Sequence, residues 1–172
     1  GVGDGLGECP PEHRQAEANI LAMGGKAAGL PRRARLQFMR EFMENVAAGR
    51  AFSCEFRPAD VAGIPAEWAL APGADPSRRV LYIHGGAFIS GSPNSHRTIT
   101  SRFSEVAQAT VLAIDYRLMP EHRRADGIAD CQAAYRWILE NGPDGPGRPQ
   151  WLHLGGDAAH RHGQRGEDTV EG

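Results

Sequence analysis

Apolar residues recur along this chain with two different spacings, and the change between them separates two regions. Between Pro31, which begins it, and Gly49, which ends it, large apolar residues fall at three- and four-residue intervals, a pattern that predicts an amphipathic helix. An earlier helix is predicted over residues 11–23, and we expect Gly24 and Gly25 to end it.

The second region has the pattern of strands that alternate with helices. Five apolar stretches are typical of strands: residues 52–61, 64–70, 80–83, 110–114 and 151–154. Helices are predicted over residues 96–109 and 125–141, with apolar faces formed by Ile99, Phe103, Val106 and Ala107 in the first and by Ile128, Cys131, Ala134, Tyr135 and Ile138 in the second. This alternation indicates an α/β fold with a mainly parallel sheet covered on both faces by helices.

The composition agrees with one globular domain and narrows the range of partners. The 172 residues are 41% hydrophobic and 23% charged, with a formal net charge of −2, so nothing indicates binding to nucleic acid. No apolar run reaches the roughly 20 residues that span a bilayer, and no export signal is present, so we expect a cytoplasmic protein without a membrane span. Cys9, Cys54 and Cys131 lack metal-binding spacing and are expected to be reduced structural thiols.

Two glycine-bearing turns directly follow predicted buried strands. The first is His-Gly-Gly-Ala-Phe at residues 84–88. In an open α/β sheet, ligands bind beyond the carboxyl ends of the strands, where adjacent glycines let backbone N–H groups approach a ligand closely. Such donors can stabilise an oxyanion during acyl transfer, although for two glycines alone a plain tight turn is the favoured interpretation.

The second turn, at residues 155–160, follows the last predicted strand. A nucleophile elbow has the pattern G-x-S-x-G, with its serine on a strained strand-to-helix turn. Here Gly156 stands at the first glycine position, Ala158 at the serine position and His160 at the second glycine position. The pattern alone therefore does not match.

A third segment, Asp-Tyr-Arg-Leu-Met-Pro-Glu at residues 115–121, follows the predicted strand 110–114. A charged cluster at the end of a strand is compatible with a functional rim or with a structural network. The structural interpretation is favoured, and it predicts that Arg117 pairs with Asp115 or Glu121.

In this order and spacing, the motifs HGGAF, DYRLMPEH and GGDAA, with the helical segment AAYRWI before the last, resemble the hormone-sensitive-lipase-like branch of the α/β-hydrolase esterases. The typical forms there are HGGGF or HGGGW, DYRLAPE and GDSAGG. The resemblance covers about residues 36–159. It implies the N-terminal part of an α/β-hydrolase fold, with lid helices in residues 1–50, a partial core in residues 51–159 and a polar, disordered tail in residues 160–172.

The resemblance also implies roles for individual residues. Gly85 and Gly86 would supply two N–H groups of the oxyanion hole, and Ala159 would supply a third. His84 would brace the loop rather than act as a base. Two further residues would border the substrate: Ala87 and Phe88. The implied substrates are small carboxylic esters, no cofactor is expected, and the complete parent enzyme is expected to be able to form a homodimer.

Three departures from the family pattern bear on activity. Ala158 has no hydroxyl group, so no acyl-enzyme can form there. His160 replaces a glycine of the elbow. In this fold the triad acid and histidine follow the serine, and we expect neither of them among the last dozen residues. We therefore expect this chain to be inactive. A shift of reading frame near Gly156 is the favoured origin, ahead of an engineered alanine or a non-catalytic relic.

Other kinds of site are less favoured. His160 and His162, with His153 and Asp157 nearby, lack the spacing of a recognised metal site, and we expect no metal. The pair Gly155–Gly156 lacks the dinucleotide-binding pattern. The leading hypothesis is thus an ester hydrolase by descent, and the alternatives are a non-catalytic ligand-binding protein and a degenerate fragment of a hydrolase.

Overall fold

The computed structural model describes residues 11–156. Contacts between residues divide the chain into two compact units, one that ends at Met39 and one that begins at Arg40. The predictions for Ala158, Ala159, His160 and the tail lie outside the described residues.

The N-terminal helices differ from their predicted bounds. Helix α1 spans Pro11–Ala28, so it continues through Gly24 and Gly25, and the prediction that they end it was wrong. A glycine costs about 1 kcal/mol in a helix interior, which weakens a helix without forbidding it. Helix α2 spans Arg32–Asn45 and begins directly after Pro31, as predicted. It ends before Gly49, and hydrogen-bonded turns connect the two.

The remaining elements form a sheet flanked by helices. They are β1 (Glu55–Val61), β2 (Ile64–Leu70), β3 (Asp75–Tyr82), a 3₁₀ turn (Asn94–His96), α3 (Arg97–Ala107), β4 (Ala109–Ile114), α4 (Arg124–Ile138), β5 (Asn141–Gly142), β6 (Gly145–Pro146) and β7 (Trp151–Gly155). The predicted α/β fold is confirmed. The predicted loop over residues 143–149 contains β6, which pairs with β5 in a short hairpin.

The main sheet has the strand order β1-β2-β4-β3-β7. β3 lies between β4 and β7 and is parallel to both, whereas β1, β2 and β4 pair in antiparallel fashion. All six residues of β4 are buried, which explains why its sequence is apolar throughout instead of alternating. The carboxyl ends of β3, β4 and β7 consequently lie together at one edge of the sheet.

The helix packing confirms one predicted face and contradicts the other. In α4, Ala134 and Ile138 are completely buried, as the predicted stripe requires, although Tyr135 is exposed. In α3, the residues that point into the protein are Thr100, Ser101 and Ser104. The predicted apolar face of α3 was wrong, because within the described part of the chain three of its members are exposed: Ile99, Phe103 and Val106.

The segment of residues 115–123 is structural, but its pairing differs from the prediction. The guanidinium of Arg117 binds the Asp130 carboxylate at 2.6 Å, and the backbone N–H of Arg117 also donates to that carboxylate. Glu121 instead pairs with Arg40. The predicted pairing of Arg117 with Asp115 or Glu121 was therefore wrong, because α4 brings an acid close that is distant in sequence.

Candidate functional site

The loop after β3 is the centre of the candidate site. We call residues 84–92 the glycine loop. Gly86 has a φ of +118°, and a Cβ placed on it would lie 2.1 Å from the carbonyl oxygen of Ser90. That carbonyl belongs to the backbone and cannot move aside, so only glycine fits this position.

The glycine loop makes a tight turn through a strained conformation. Ala87 and Phe88 both have positive φ values, of 55° and 63°, which is uncommon for residues with a side chain. The N–H groups of Ile89 and Ser90 both donate to the carbonyl of Gly86, at 3.0 and 3.1 Å. Strained residues of this kind concentrate at functional sites, where the surrounding structure must hold them.

His84 is buried inside the turn and is held neutral. Its side chain is completely inaccessible to solvent, and Nδ1 lies 2.9 Å from the carbonyl oxygen of Gly85. Because a carbonyl only accepts hydrogen bonds, Nδ1 carries the proton, and the buried Nε2 has no partner among the described residues. Burial lowers the His84 pKa to about 4, with a smaller contribution from the nearby His96. This environment suits a bracing group and leaves Nε2 without access to a substrate.

Tyr116 ties the glycine loop to the end of β4. Its hydroxyl donates a 2.8 Å hydrogen bond to the backbone carbonyl of His84, and its ring stacks on the imidazole with centroids 4.3 Å apart. The ring of Phe88 meets the same tyrosine edge-on at 5.9 Å. Tyr116 was not among the predicted site residues. The signal was its place in the DYR segment directly after a buried strand.

The turn after β7 enters the same region. The N–H of Ile83 donates to the carbonyl of Gly155 at 3.0 Å, and Gly156 has a φ of +110°. A Cβ on Gly156 would lie 1.9 Å from the carbonyl oxygen of Ile83, immediately before the glycine loop. The structure therefore brings the turn after β7 against Ile83, while Ala158 and Ala159 lie outside the described residues.

The glycine loop offers hydrogen-bond donors. Within residues 11–156, neither the N–H of Gly85 nor that of Gly86 has a hydrogen-bond acceptor. Free backbone N–H groups beside a strained turn can bind an anionic oxygen without reorganisation of the protein. Ala87 is exposed and Phe88 is half-buried, so both are accessible beside these donors.

The described part of the chain offers little support for other kinds of site. No group of three or more histidine, cysteine or acidic side chains there could hold a metal ion. His153 stacks on Trp151, with centroids 5.7 Å apart. None of the helices in residues 11–156 combines the length and the apolar character needed to cross a bilayer. An open cleft of about 510 Å³ lies beside Asp115 and Ser92, but its lining does not include Gly85 or Gly86.

Comparisons with known proteins identify the same fold. A family model described as an α/β hydrolase fold matches residues 80–159. The chain is 43% identical over 98 residues to the carboxylesterase/phospholipase LipF of Mycobacterium tuberculosis, an alignment that covers 55% of this chain and 25% of LipF.

Solved structures give the same result over more of the chain. An esterase/lipase from an uncultured bacterium is 37% identical, with a TM-score of 0.69, over 88% of this chain and 49% of that one. An esterase of the bacterial hormone-sensitive lipase family is 34% identical, with a TM-score of 0.67, over 83% of this chain and 47% of that one. The chain thus spans about half the length of these solved relatives.

Proposed function

Since this chain has the α/β-hydrolase fold of the hormone-sensitive-lipase-like esterases, we propose that it supplies the oxyanion-binding half of a carboxylic ester hydrolase site. The observation that carries the proposal is the glycine loop, where the N–H groups of Gly85 and Gly86 have no acceptor among residues 11–156 and the turn after β7 arrives beside Ile83. The proposed substrates are small carboxylic esters.

The proposed reaction needs a serine at position 158. Its hydroxyl oxygen attacks the ester carbonyl, and the carbonyl oxygen becomes an oxyanion that accepts hydrogen bonds from Gly85, Gly86 and residue 159. The bond to the alcohol then breaks, the alcohol leaves with a proton, and a water molecule hydrolyses the acyl-enzyme to the free acid. In this role His84 stays neutral and holds the loop, as its buried position and lowered pKa of about 4 support.

We further propose that the chain itself does not turn over esters, because position 158 is alanine. Loss of the nucleophile costs about 10⁶ in turnover in a serine hydrolase that has been dissected in this way. The first experiment is an assay of the purified chain with p-nitrophenyl butyrate. We expect release of p-nitrophenol at the uncatalysed rate. Turnover that scales with the chain and survives repeated purification would refute this part of the proposal.

A chimera tests the ester hydrolase assignment. Residues 1–156 of this chain would be joined to the part of the hormone-sensitive-lipase-family esterase that follows its equivalent glycine, which restores a serine nucleophile and the second half of the fold. We expect hydrolysis of short-chain p-nitrophenyl esters. The matched control is the same chimera with alanine at the nucleophile position. A chimera that unfolds in one cooperative transition but hydrolyses no ester contradicts the assignment.

A second candidate function is non-catalytic binding of a carboxylate or an ester, and Ala158 is the observation that favours it. An alanine at the elbow removes the nucleophile but leaves the donors of the glycine loop in place. Titration of the ¹⁵N-labelled chain with butyrate tests this function. Saturable shifts of the Gly85 and Gly86 amide signals, absent with butanol, support it, and unchanged signals at high millimolar butyrate count against it.

A further inference from the structure

Three hydrogen bonds from residues distant in sequence hold residues 84–89 of the glycine loop. At its start, the Tyr116 hydroxyl donates to the carbonyl of His84. In its middle, the N–H of Met119 donates to the carbonyl of Phe88 at 2.8 Å. At its far side, the guanidinium of Arg40 donates to the carbonyl of Ile89 at 2.8 Å. Of these three hydrogen bonds, only the one from Arg40 comes from a helix in the N-terminal 50 residues.

Arg40 is the centre of a small network. Besides Ile89, it donates to the carbonyl of Met119 at 2.9 Å and makes a two-point ion pair with the Glu121 carboxylate, both bonds at 2.8 Å. The Glu121 pKa is lowered to about 2, chiefly because the guanidinium of Arg40 donates to its charged form. One side chain of α2 thus joins the glycine loop to the segment of residues 115–123.

The chemistry of arginine matches this arrangement. A guanidinium is planar, permanently charged and carries five N–H groups in a fixed fork, so it can bind two carbonyls and both oxygens of a carboxylate at once. A lysine carries a single ammonium group on a flexible stem and cannot hold the same set of partners in one plane.

The bond from Arg40 reaches the turn at a sensitive place. Ile89 is the residue whose N–H closes the turn onto the carbonyl of Gly86, directly after the left-handed pair Ala87 and Phe88. Two strained residues in succession store energy that favours opening of the turn. A charge-assisted bond to the Ile89 carbonyl opposes that opening and so keeps the peptide of Gly86 in place.

We propose that Arg40 is a positioning residue of the proposed oxyanion site: through the carbonyl of Ile89, α2 holds the glycine loop in the conformation that presents the N–H groups of Gly85 and Gly86. This inference rests on the proposed function. It assigns to a helix in the predicted lid a role in setting the geometry of the anion-binding donors.

The test compares the intact chain with Arg40→Ala and Arg40→Lys. The matched control is Arg57→Ala, because Arg57 also bridges a carbonyl, that of Pro143, and the carboxylates Glu55 and Asp144. Amide hydrogen exchange measures opening of the glycine loop directly. We expect Arg40→Ala to speed exchange of the Ile89 and Ser90 amides by about tenfold to a hundredfold, the range implied by loss of a hydrogen bond to a charged group. Arg40→Lys should give an intermediate increase, and Arg57→Ala none.

A second measurement keeps the two proposals separate. Butyrate titration should show at least fivefold weaker binding to Arg40→Ala than to the unchanged chain. If the unchanged chain binds no butyrate, the proposed carboxylate-binding function fails, while the exchange data still decide the role of Arg40. If exchange in Arg40→Ala rises equally in the amides of β4, the substitution has lowered only the global stability. That result, together with unchanged exchange at Ile89 in Arg40→Lys, would overturn the positioning role.

Discussion

At the scale of single residues, two glycines set the shape of the site. Gly86 and Gly156 both have positive φ values, and both lie so close to a backbone carbonyl that no Cβ fits. The carbonyl beside Gly156 is that of Ile83, so this contact joins the turn after β7 to the residue between β3 and the glycine loop. The sequence predicted turns at these glycines because both follow apolar runs, but it did not predict which backbone groups lie beside them.

Substitution of Gly156 should destabilise the protein strongly. The change Gly156→Ala forces its Cβ into the Ile83 carbonyl, and we expect a loss on the order of 3 kcal/mol or more in the free energy of unfolding. Gly63→Ala is the matched control, since Gly63 has a φ of +87° but open space around its Cβ. It should cost only about 1 to 2 kcal/mol for the backbone conformation. Urea unfolding of both variants measures the difference, and equal losses would contradict the contact.

His84 should make the stability depend on pH. Its folded pKa of about 4 lies below the ordinary histidine value of 6.5, because burial disfavours the imidazolium. The unfolded chain therefore binds a proton that the folded chain rejects, and stability falls as the pH drops from 6.5 to 4. A shift of this size corresponds to a loss on the order of 3 kcal/mol. Urea unfolding across this range should show that loss relative to His84→Asn, and parallel pH profiles would contradict it.

The place of the glycine loop could be predicted from the sequence, whereas the residues that hydrogen-bond to it from distant parts of the chain could not. The strand preceding His84 and the two adjacent glycines were enough to place a turn at the edge of the sheet. The bond from Tyr116 to His84 joins residues 32 positions apart, and the bond from Arg40 to Ile89 joins residues 49 positions apart. Periodicity carries no information about such contacts, because they depend on how separate elements pack.

At the scale of secondary-structure elements, α3 shows where periodicity fails. The pattern of large apolar residues predicted that Ile99, Phe103 and Val106 face the core, but the side that contacts the protein carries Thr100 and Ser104. The reason is that backbone groups beside this side of α3 need hydrogen-bond partners. The Ser104 hydroxyl accepts a 2.9 Å bond from the N–H of Ala71 and donates a 2.7 Å bond to the carbonyl of Ala109. Buried backbone groups need such partners, and the apolar face could not supply them.

Removal of the Ser104 hydroxyl should therefore cost more than removal of an aliphatic group from the same helix. Ser104→Ala leaves the N–H of Ala71 without this acceptor and should lower the free energy of unfolding by about 1 to 3 kcal/mol. Val106→Ala is the matched control, because Val106 is 69% exposed and its change should stay within about 0.5 kcal/mol. Thermal or urea unfolding distinguishes the two, and a larger effect at Val106 would show that its face is covered in solution.

At the scale of the whole molecule, two of the exposed apolar surfaces in the described part of the chain lie on elements beside the sheet or in it. One is the face of α3 with Ile99, Phe103 and Val106. The other is β7, which pairs only with β3 among the described strands and exposes 40% of both Trp151 and Leu154. A strand edge with exposed apolar residues and free backbone groups is a template for pairing with another chain. Both surfaces lie on elements that were predicted from the sequence, a helix and a strand.

These surfaces lead us to expect concentration-dependent self-association of the purified chain. Sedimentation velocity over a range of protein concentrations measures it. The double substitution Val106→Lys and Leu154→Lys adds charge to both surfaces and should shift the chain toward monomer. The matched control, Gln132→Lys with Gln150→Lys, adds the same charge at exposed polar positions and should leave association unchanged. Equal effects of the two double variants would mean that net charge, and not the exposed apolar surface, governs association. A chain that stays monomeric at high concentration would show instead that these two surfaces are too small or too separated to drive it.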